Sequence, residues 1–263
     1  MNSIELAKKI RQHAIVMTHR SHASHIGAIL SVTDIVAVLY NDILNITPDN
    51  IHDKNRDRCI LSKGHAGVSI YAALAEKGFF ERKMLDNYYQ NGSTLSGHVS
   101  HKNKGVEVST GSLGHGLGIG CGMAYAGKLD NLTYNTYVIL GDGECEEGSI
   151  WEAVLFASQY KLNNLIAIVD CNKQQAMGFC KDISKIYPIK QKWEAFGWNV
   201  QEIDGNNHEE LKHALNNLNR EKPNCILANT IKGKGVSFME NQLLWHYRDP
   251  QGEFYEKAMK ELE

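Results

Sequence analysis

The sequence predicts an α/β fold: a mostly parallel sheet with helices on both faces. Three observations predict it. From residue 134 onward, short apolar runs of strand length alternate with stretches of helical periodicity. The runs are apolar throughout rather than at every second residue, as in strands covered on both sides. Glycine outnumbers proline 23 to 4, which suits tight turns and close backbone approaches around ligand-binding loops.

Taken in order, the chain opens with helices. Ile4 to His19 carries apolar residues at helical spacing. Ser31-Val32-Thr33-Asp34 reads as a capping box ahead of the stripe Ile35, Val36, Leu39 and Ile43. The polar segment Arg20–Gly27 between them reads as a turn. After Pro48 a polar loop leads to a β-like run, Arg58–Leu61, then to Ser62-Lys63-Gly64-His65 and a helix reaching Glu76. Residues 91–122 are loop-like and glycine-rich, and the small residues at their end allow a helix to pack closely on a neighbour. Tyr137–Leu140 is a buried-strand candidate, 150–160 a helix, Leu165–Val169 a second strand and 208–219 another helix. Cys225–Ala228 gives a third strand, and the tail from 251 is helical. Strands separated by helices imply right-handed crossovers. No repeat or linker divides the chain, so 1–263 is expected to form a single domain.

Composition narrows the function. The 28 Lys+Arg against 30 Asp+Glu leave a formal charge of −2, with no cationic excess to neutralise a phosphate backbone. Nucleic-acid binding is therefore not expected as the main function. Apolar residues at 43% and charged residues at 22% are globular proportions. No apolar run is read as approaching the roughly 18 residues of a membrane span, and the N-terminus lacks a signal-peptide core. Six cysteines, at 59, 121, 145, 171, 180 and 225, show no metal-ligand pairing. The expected setting is reduced and cytoplasmic, with no membrane partner.

The strongest chemical signal is Gly141-Asp142-Gly143-Glu144, directly after one strand, with Asn172 after the next. In a parallel sheet the C-terminal strand ends face the ligand crevice, so Asp142 and Asn172 emerge side by side. A carboxylate and an amide oxygen are hard ligands suited to Mg²⁺, which keeps phosphate oxygens and water in its other positions. Gly143 lets the backbone approach a diphosphate, and a following helix N-terminus favours anionic charge. The plainer alternative makes Asp142 only an N-cap; the paired spacing argues against it.

With these residues in view, the sequence resembles the transketolase family. The segments GDGECEEGSIWEA (141–153), LSKGHAGVSIYAALAEKG (61–78), GVEVSTGSLGHG (105–116) and VDCNK (169–173) carry the likeness, which runs from about residue 5 to about 250. It implies the diphosphate-binding half of a thiamine-diphosphate enzyme, with Asp142, the Asn172 side chain and the Gln174 carbonyl as ligands of Mg²⁺. It further implies that Gly143 meets the diphosphate, and that His65 and His246 reach the diphosphate and the reacting carbons. His25 and His98 would line the substrate channel, Gly111 and Leu113 would lie near the aminopyrimidine, and Glu147 and Glu152 near a subunit contact. The family's pyrimidine-binding and C-terminal domains have no counterpart here, so the chain looks like the N-terminal subunit of a split transketolase. Its expected work is moving a two-carbon ketol unit from a ketose or its phosphate to an aldose. It would need a partner subunit carrying the pyrimidine-binding domain and its activating glutamate, in a two-plus-two heterotetramer.

Other residues carry weaker signals. Nine of the 12 histidines fall in the first 115 residues, and imidazole donates or accepts near neutral pH. His13, His19, His52, His208 and His213 read as structural, while His22, His101 and His115 stay open. Cys145 reads as packing, Lys232-Gly-Lys-Gly235 as either a phosphate loop or a solvated turn, and Trp193 and Trp198 as core or interface. Against the family pattern, Ser24-His25-Ile26-Gly27 and Ser112 replace prolines, and Tyr247 replaces a glycine after His246, with Arg248 free to meet an anionic substrate or a nearby carboxylate. Two alternatives remain: another thiamine-diphosphate enzyme subunit, of 2-oxo acid dehydrogenase or deoxyxylulose phosphate synthase type, or a non-catalytic cofactor-binding regulator.

Overall fold

The structure is a computed structural model that describes residues 1–263. Five strands form one sheet: β1 (Arg58–Leu61), β2 (Thr136–Gly141), β3 (Leu165–Cys171), β4 (Asn199–Asp204) and β5 (Asn224–Asn229). Their order is β1-β2-β3-β5-β4, and every pair is parallel. The expected fold class is observed. Nine helices surround the sheet: α1 (Ser3–Ser21), α2 (Ile26–Val38), α3 (Gly67–Glu76), α4 (Gly116–Leu129), α5 (Gly148–Gln159), α6 (Cys180–Ile183), α7 (Ile189–Ala195), α8 (His208–Asn216) and α9 (Glu253–Glu261).

The continuous apolar runs of the strands split by parity into two cores. Leu61, Ile139, Ile168 and Ala228 face α1, α2, α3, α8 and α9. Ile60, Val138, Ala167 and Leu227 face α4, α5 and α7. β1, β2, β3 and β5 therefore bury both sides, which is why period-two alternation is absent from their sequences. Close packing of α4 on β2 depends on Gly120: a Cβ there would stand 2.5 Å from a Val138 methyl.

The connections create the crevice. After β1 and β5 the chain turns into the first core, through Ala66 and Val236. After β2 and β3 it turns into the second, through Cys145 and Cys180. Loops that part to opposite faces leave an opening at the C-terminal strand ends. The tail closes the molecule over α1, where His19 stacks on Tyr255 at 4.0 Å and Gln12 donates to the Leu262 carbonyl at 2.9 Å.

Four sequence expectations change. The helix expected after a capping box at Ser31–Asp34 already begins at Ile26. The supposed cap residues lie mid-helix, with Ser31 and Thr33 bonded to carbonyls one turn back and Asp34 paired with Arg11. Through a π-turn, α2 continues to Ile43 and gives 18 residues of mean hydropathy 1.6, a length not foreseen; 83% of it is buried, so it is the core helix of this fold. Strand β4 was not foreseen, because it is an edge strand of mixed polarity. Nor does a helix follow Gly143 directly; a 3-10 turn spans Gly143–Glu146 before α5.

Candidate active site

Asp142 follows β2 and Asn172 follows β3, and the register of these strands pairs Gly141 with Asp170. Both residues line one cavity of about 310 Å³, together with Gln174, Gly143 and the four singled-out histidines. The Asp142 carboxylate accepts from the amides of Gly143 at 2.9 Å and Lys173 at 2.7 Å, and from the Tyr187 hydroxyl at 2.8 Å. Asp142 thus caps the 3-10 turn and also faces the cavity. Burial raises its pKa above the ordinary value, against the pull of Tyr187. Asn172 Oδ1 accepts from the Gln174 amide at 3.1 Å.

Beneath Asp142 and Asn172 lies a set of buried charges whose burial sequence reasoning missed. Asp170, fully buried in β3, accepts from Lys63 Nζ at 2.5 Å, Ser31 Oγ at 2.6 Å and Asn172 Nδ2 at 3.2 Å, and from Thr230 Oγ1. Lys232, only 1% exposed, donates to His246 Nδ1 at 3.0 Å and to the Gln174 carbonyl at 3.3 Å. The solvated-turn reading of Lys232 is therefore wrong. Glu144 is likewise buried; it accepts from the Gly141 and Gly114 amides at 3.0 Å each and from Ser62, tying the loops after β1 and β2 together. The signal available was charged residues inside the SKGH, KGKG and GDGE segments, where a solvated side chain is the ordinary reading.

The histidines converge around His25. Its ring centroid lies 5.0 Å from His65, 5.1 Å from His246 and 6.2 Å from His98. Local structure sets each one. His25 caps α2 with φ 75°, and its N–H donates to the His246 carbonyl at 2.8 Å. His65 sits in a tight turn where a Cβ on Gly64 would come within 2.3 Å of the Thr110 carbonyl. The His98 carbonyl accepts from Tyr71 and Ser96. Desolvation, aided by His98 and the two lysines, lowers His25 to about 4. Desolvation and Lys232 lower His246 to about 3, and burial takes His65 well below its ordinary value. These three imidazoles are neutral at neutral pH.

Gly111 lies against His98, where a Cβ would approach Cδ2 at 3.2 Å, and half-buried Leu113 lines the cavity. The Gly143 N–H expected to meet a diphosphate donates to Asp142 here. Glu147 and Glu152 are exposed on the surface beside α5. Cys145 is fully buried with its thiol pushed well above the ordinary range, a packing residue. Trp193 and Trp198 pack edge-to-face at 4.8 Å in the core. His208 is structural, bonded to Asp34 and Ser3, and His101 bonds Ser109. A larger depression of about 770 Å³ at the amino ends of the strands is lined by asparagines and hydrophobic residues in equal number and gathers no histidine.

A family profile described as "Transketolase, thiamine diphosphate binding domain" matches residues 3–249. The chain belongs to the transketolase family. An apulose-4-phosphate transketolase subunit of Phocaeicola vulgatus is 40% identical over 265 residues, covering 100% of this chain and 94% of that protein. The 6-deoxy-6-sulfo-D-fructose transketolase subunit SqwG of a Clostridium species is 42% identical, covering 98% and 94%. Among solved structures, the transketolase of Campylobacter jejuni superposes with a TM-score of 0.94 at 31% identity, and this chain spans 43% of it.

Within this transketolase-family domain the residues fit a divalent cation and a diphosphate. No three His, Cys, Asp or Glu side chains form a metal cluster. The donor set is instead a carboxylate, an amide oxygen and a main-chain carbonyl, all hard oxygens open to one cavity. The Gln174 side chain, 5% exposed, leaves both its amide atoms without a partner, as expected of polar atoms facing a ligand. Lys232 and Lys63 supply positive charge beside these donors.

Proposed function

We propose that this chain is the cofactor-binding subunit of a two-subunit transketolase that moves a two-carbon ketol unit from a ketose to an aldose. The observation that carries the reading is the convergence of Asp142, Asn172 and the Gln174 carbonyl with four histidines in one cavity. Coverage of 94% of two relatives named as transketolase subunits supports a partner that completes the site. That partner would bring the pyrimidine-binding domain and its activating glutamate, in a two-plus-two heterotetramer. Six free, buried cysteines suit a reducing, cytoplasmic setting.

Thiamine diphosphate supplies stabilised carbanion chemistry when bound. The chain's residues hold and surround it. Asp142, Asn172 and the Gln174 carbonyl would hold Mg²⁺; Lys232, His246 and His65 would meet the diphosphate, with Gly143, Gly111 and Leu113 shaping the approach. His25 and His98 face the substrate. Because Ser24 Oγ meets His25 Nδ1 at 2.8 Å, Nε2 is the nitrogen left for a substrate oxygen; in the neutral ring it donates or accepts according to which nitrogen carries the proton.

Calorimetric titration of thiamine diphosphate with Mg²⁺, with and without the co-purifying partner, tests the reading. Saturable metal-dependent binding that tightens with the partner and is lost in Asp142→Ala is expected. No binding under either condition would overturn it in favour of a scaffold role.

A further inference from the structure

One residue beside the cavity has been given no role in holding the cofactor. Tyr247 directly follows His246 and is 66% exposed, although it stands among the imidazoles of the site. Its ring centroid is 4.7 Å from His246 and 6.2 Å from His25, with planes inclined by 65° and 59°. A ring laid flat on the imidazoles would cap them. This one stands steeply beside both and is largely exposed, so it flanks the cavity as a side wall next to the lining residues His246 and His25 without itself being one of them.

The wall is rigidly mounted. Trp245 is buried and its indole donates to the Phe238 carbonyl at 3.0 Å, while the His246 carbonyl is held by His25. Arg248, which the sequence left free to meet an anion, is turned away: its guanidinium lies over Phe254 at 4.6 Å and Trp245 at 5.4 Å. The wall therefore offers an aromatic face and a phenolic hydroxyl beside neutral imidazoles. That chemistry matches C–H and O–H groups rather than a terminal anion.

We propose that Tyr247 is a specificity-determining residue. Its exposed ring packs on the hydroxylated carbons of the sugar just beyond the reacting carbonyl, and its hydroxyl bonds one of their hydroxyls. What this wall reads is the polyol chain, not a terminal phosphate or sulfonate. The inference rests on the two-carbon-transfer reading and deepens it.

The test uses the assembled two-subunit enzyme with Tyr247→Ala and Tyr247→Phe. Glycolaldehyde is the acceptor, and donors are hydroxypyruvate, which leaves only carbon dioxide, and a ketose with and without its terminal phosphate. The alanine variant should lower kcat/KM about tenfold for both ketoses and less than about twofold for hydroxypyruvate, and phenylalanine should lose about threefold on the ketoses. Saturation-transfer NMR gives a readout apart from turnover: enhancement of the distal sugar protons should fall in Tyr247→Ala. Equal losses for all donors, a loss that disappears with the phosphate, or failure of the alanine variant to assemble with the partner would each overturn the proposal. The last outcome would make Tyr247 a partner contact. A wild type that moves no two-carbon unit from hydroxypyruvate would bring down the functional reading and this proposal together. An active wild type with unchanged selectivity in the variants would remove this proposal alone.

Discussion

Lys232 aims its ammonium at Nδ1 of His246 from 3.0 Å. An ammonium only donates, so Nδ1 accepts and the ring proton sits on Nε2. Burial and the neighbouring Lys63 lower Lys232 to about 8. As pH rises through that value the lysine loses its proton, and the site loses one of the two ammonium charges that attract an anion. Binding of inorganic pyrophosphate with Mg²⁺, followed calorimetrically, should weaken above about pH 8. Lys232→Met should remove that alkaline limb and bind about tenfold more weakly at neutral pH. A limb that persists in the variant would assign the titration elsewhere.

Asp170 is the counter-charge for Lys63, with both side chains at most 2% exposed. Asp170→Asn leaves the ammonium buried without a counter-charge, a loss of about 3–5 kcal/mol. Urea unfolding should show that loss, and adding Lys63→Met should recover much of it. A single variant as stable as the parent would mean that water already solvates Lys63.

The neutral histidines make the fold sensitive to acid. His25 and His246 titrate near 4 and 3 when folded, against about 6.5 in an unfolded chain. Between those values the unfolded chain binds protons that the folded chain refuses, so stability that is full above pH 6.5 declines as pH falls toward 4. His25→Asn should flatten that decline in a series of denaturation curves across pH. An identical slope would show that these rings do not govern it.

Asp34, one turn along α2 from Ser31, anchors the loop that carries Lys232. Burial pushes its carboxyl up, but His208, Arg11 and Asn206 together bring it down to about 2. Its contribution is present above about pH 3.9 and is lost as pH falls toward 2. Arg11 also donates to the Lys234 carbonyl, and Asn206 accepts from the Ile231 amide. Asp34→Ala should cost about 3–5 kcal/mol and weaken pyrophosphate binding several-fold. If binding in the folded variant were unchanged, the network would be structural alone.

Much of this was legible in the sequence, for identifiable reasons. Strands β1, β2, β3 and β5 announced themselves because burial on both faces demands unbroken apolar runs. Strand β4 did not: it pairs only with β5 and mixes Asn199, Gln201 and Glu202 with Val200 and Ile203. The start of α2 was hidden because His25 begins it from a left-handed conformation with no side-chain cap, while Ser31, Thr33 and Asp34 mimic a cap that burial puts to other uses. At the site, Asp142 and Asn172 stand out through residue type and position after a strand, whereas His25, His65, His98 and His246 are named through the family resemblance; the structure brings all six to one cavity. Lys63 and Asp170 are not singled out by the sequence, and Lys232 stands there between a phosphate loop and a solvated turn, since only three-dimensional pairing removes such groups from water.

His25 holds φ at 75°, a region few side chains other than glycine enter. Such a conformation carries a strain of about 1–3 kcal/mol, and glycine in its place would relax the backbone while deleting the imidazole at the centre of the cluster. Durability and competence therefore pull in opposite directions at this residue. A search for heat-tolerant variants that scored survival alone would be drawn toward discarding the ring around which the other three gather.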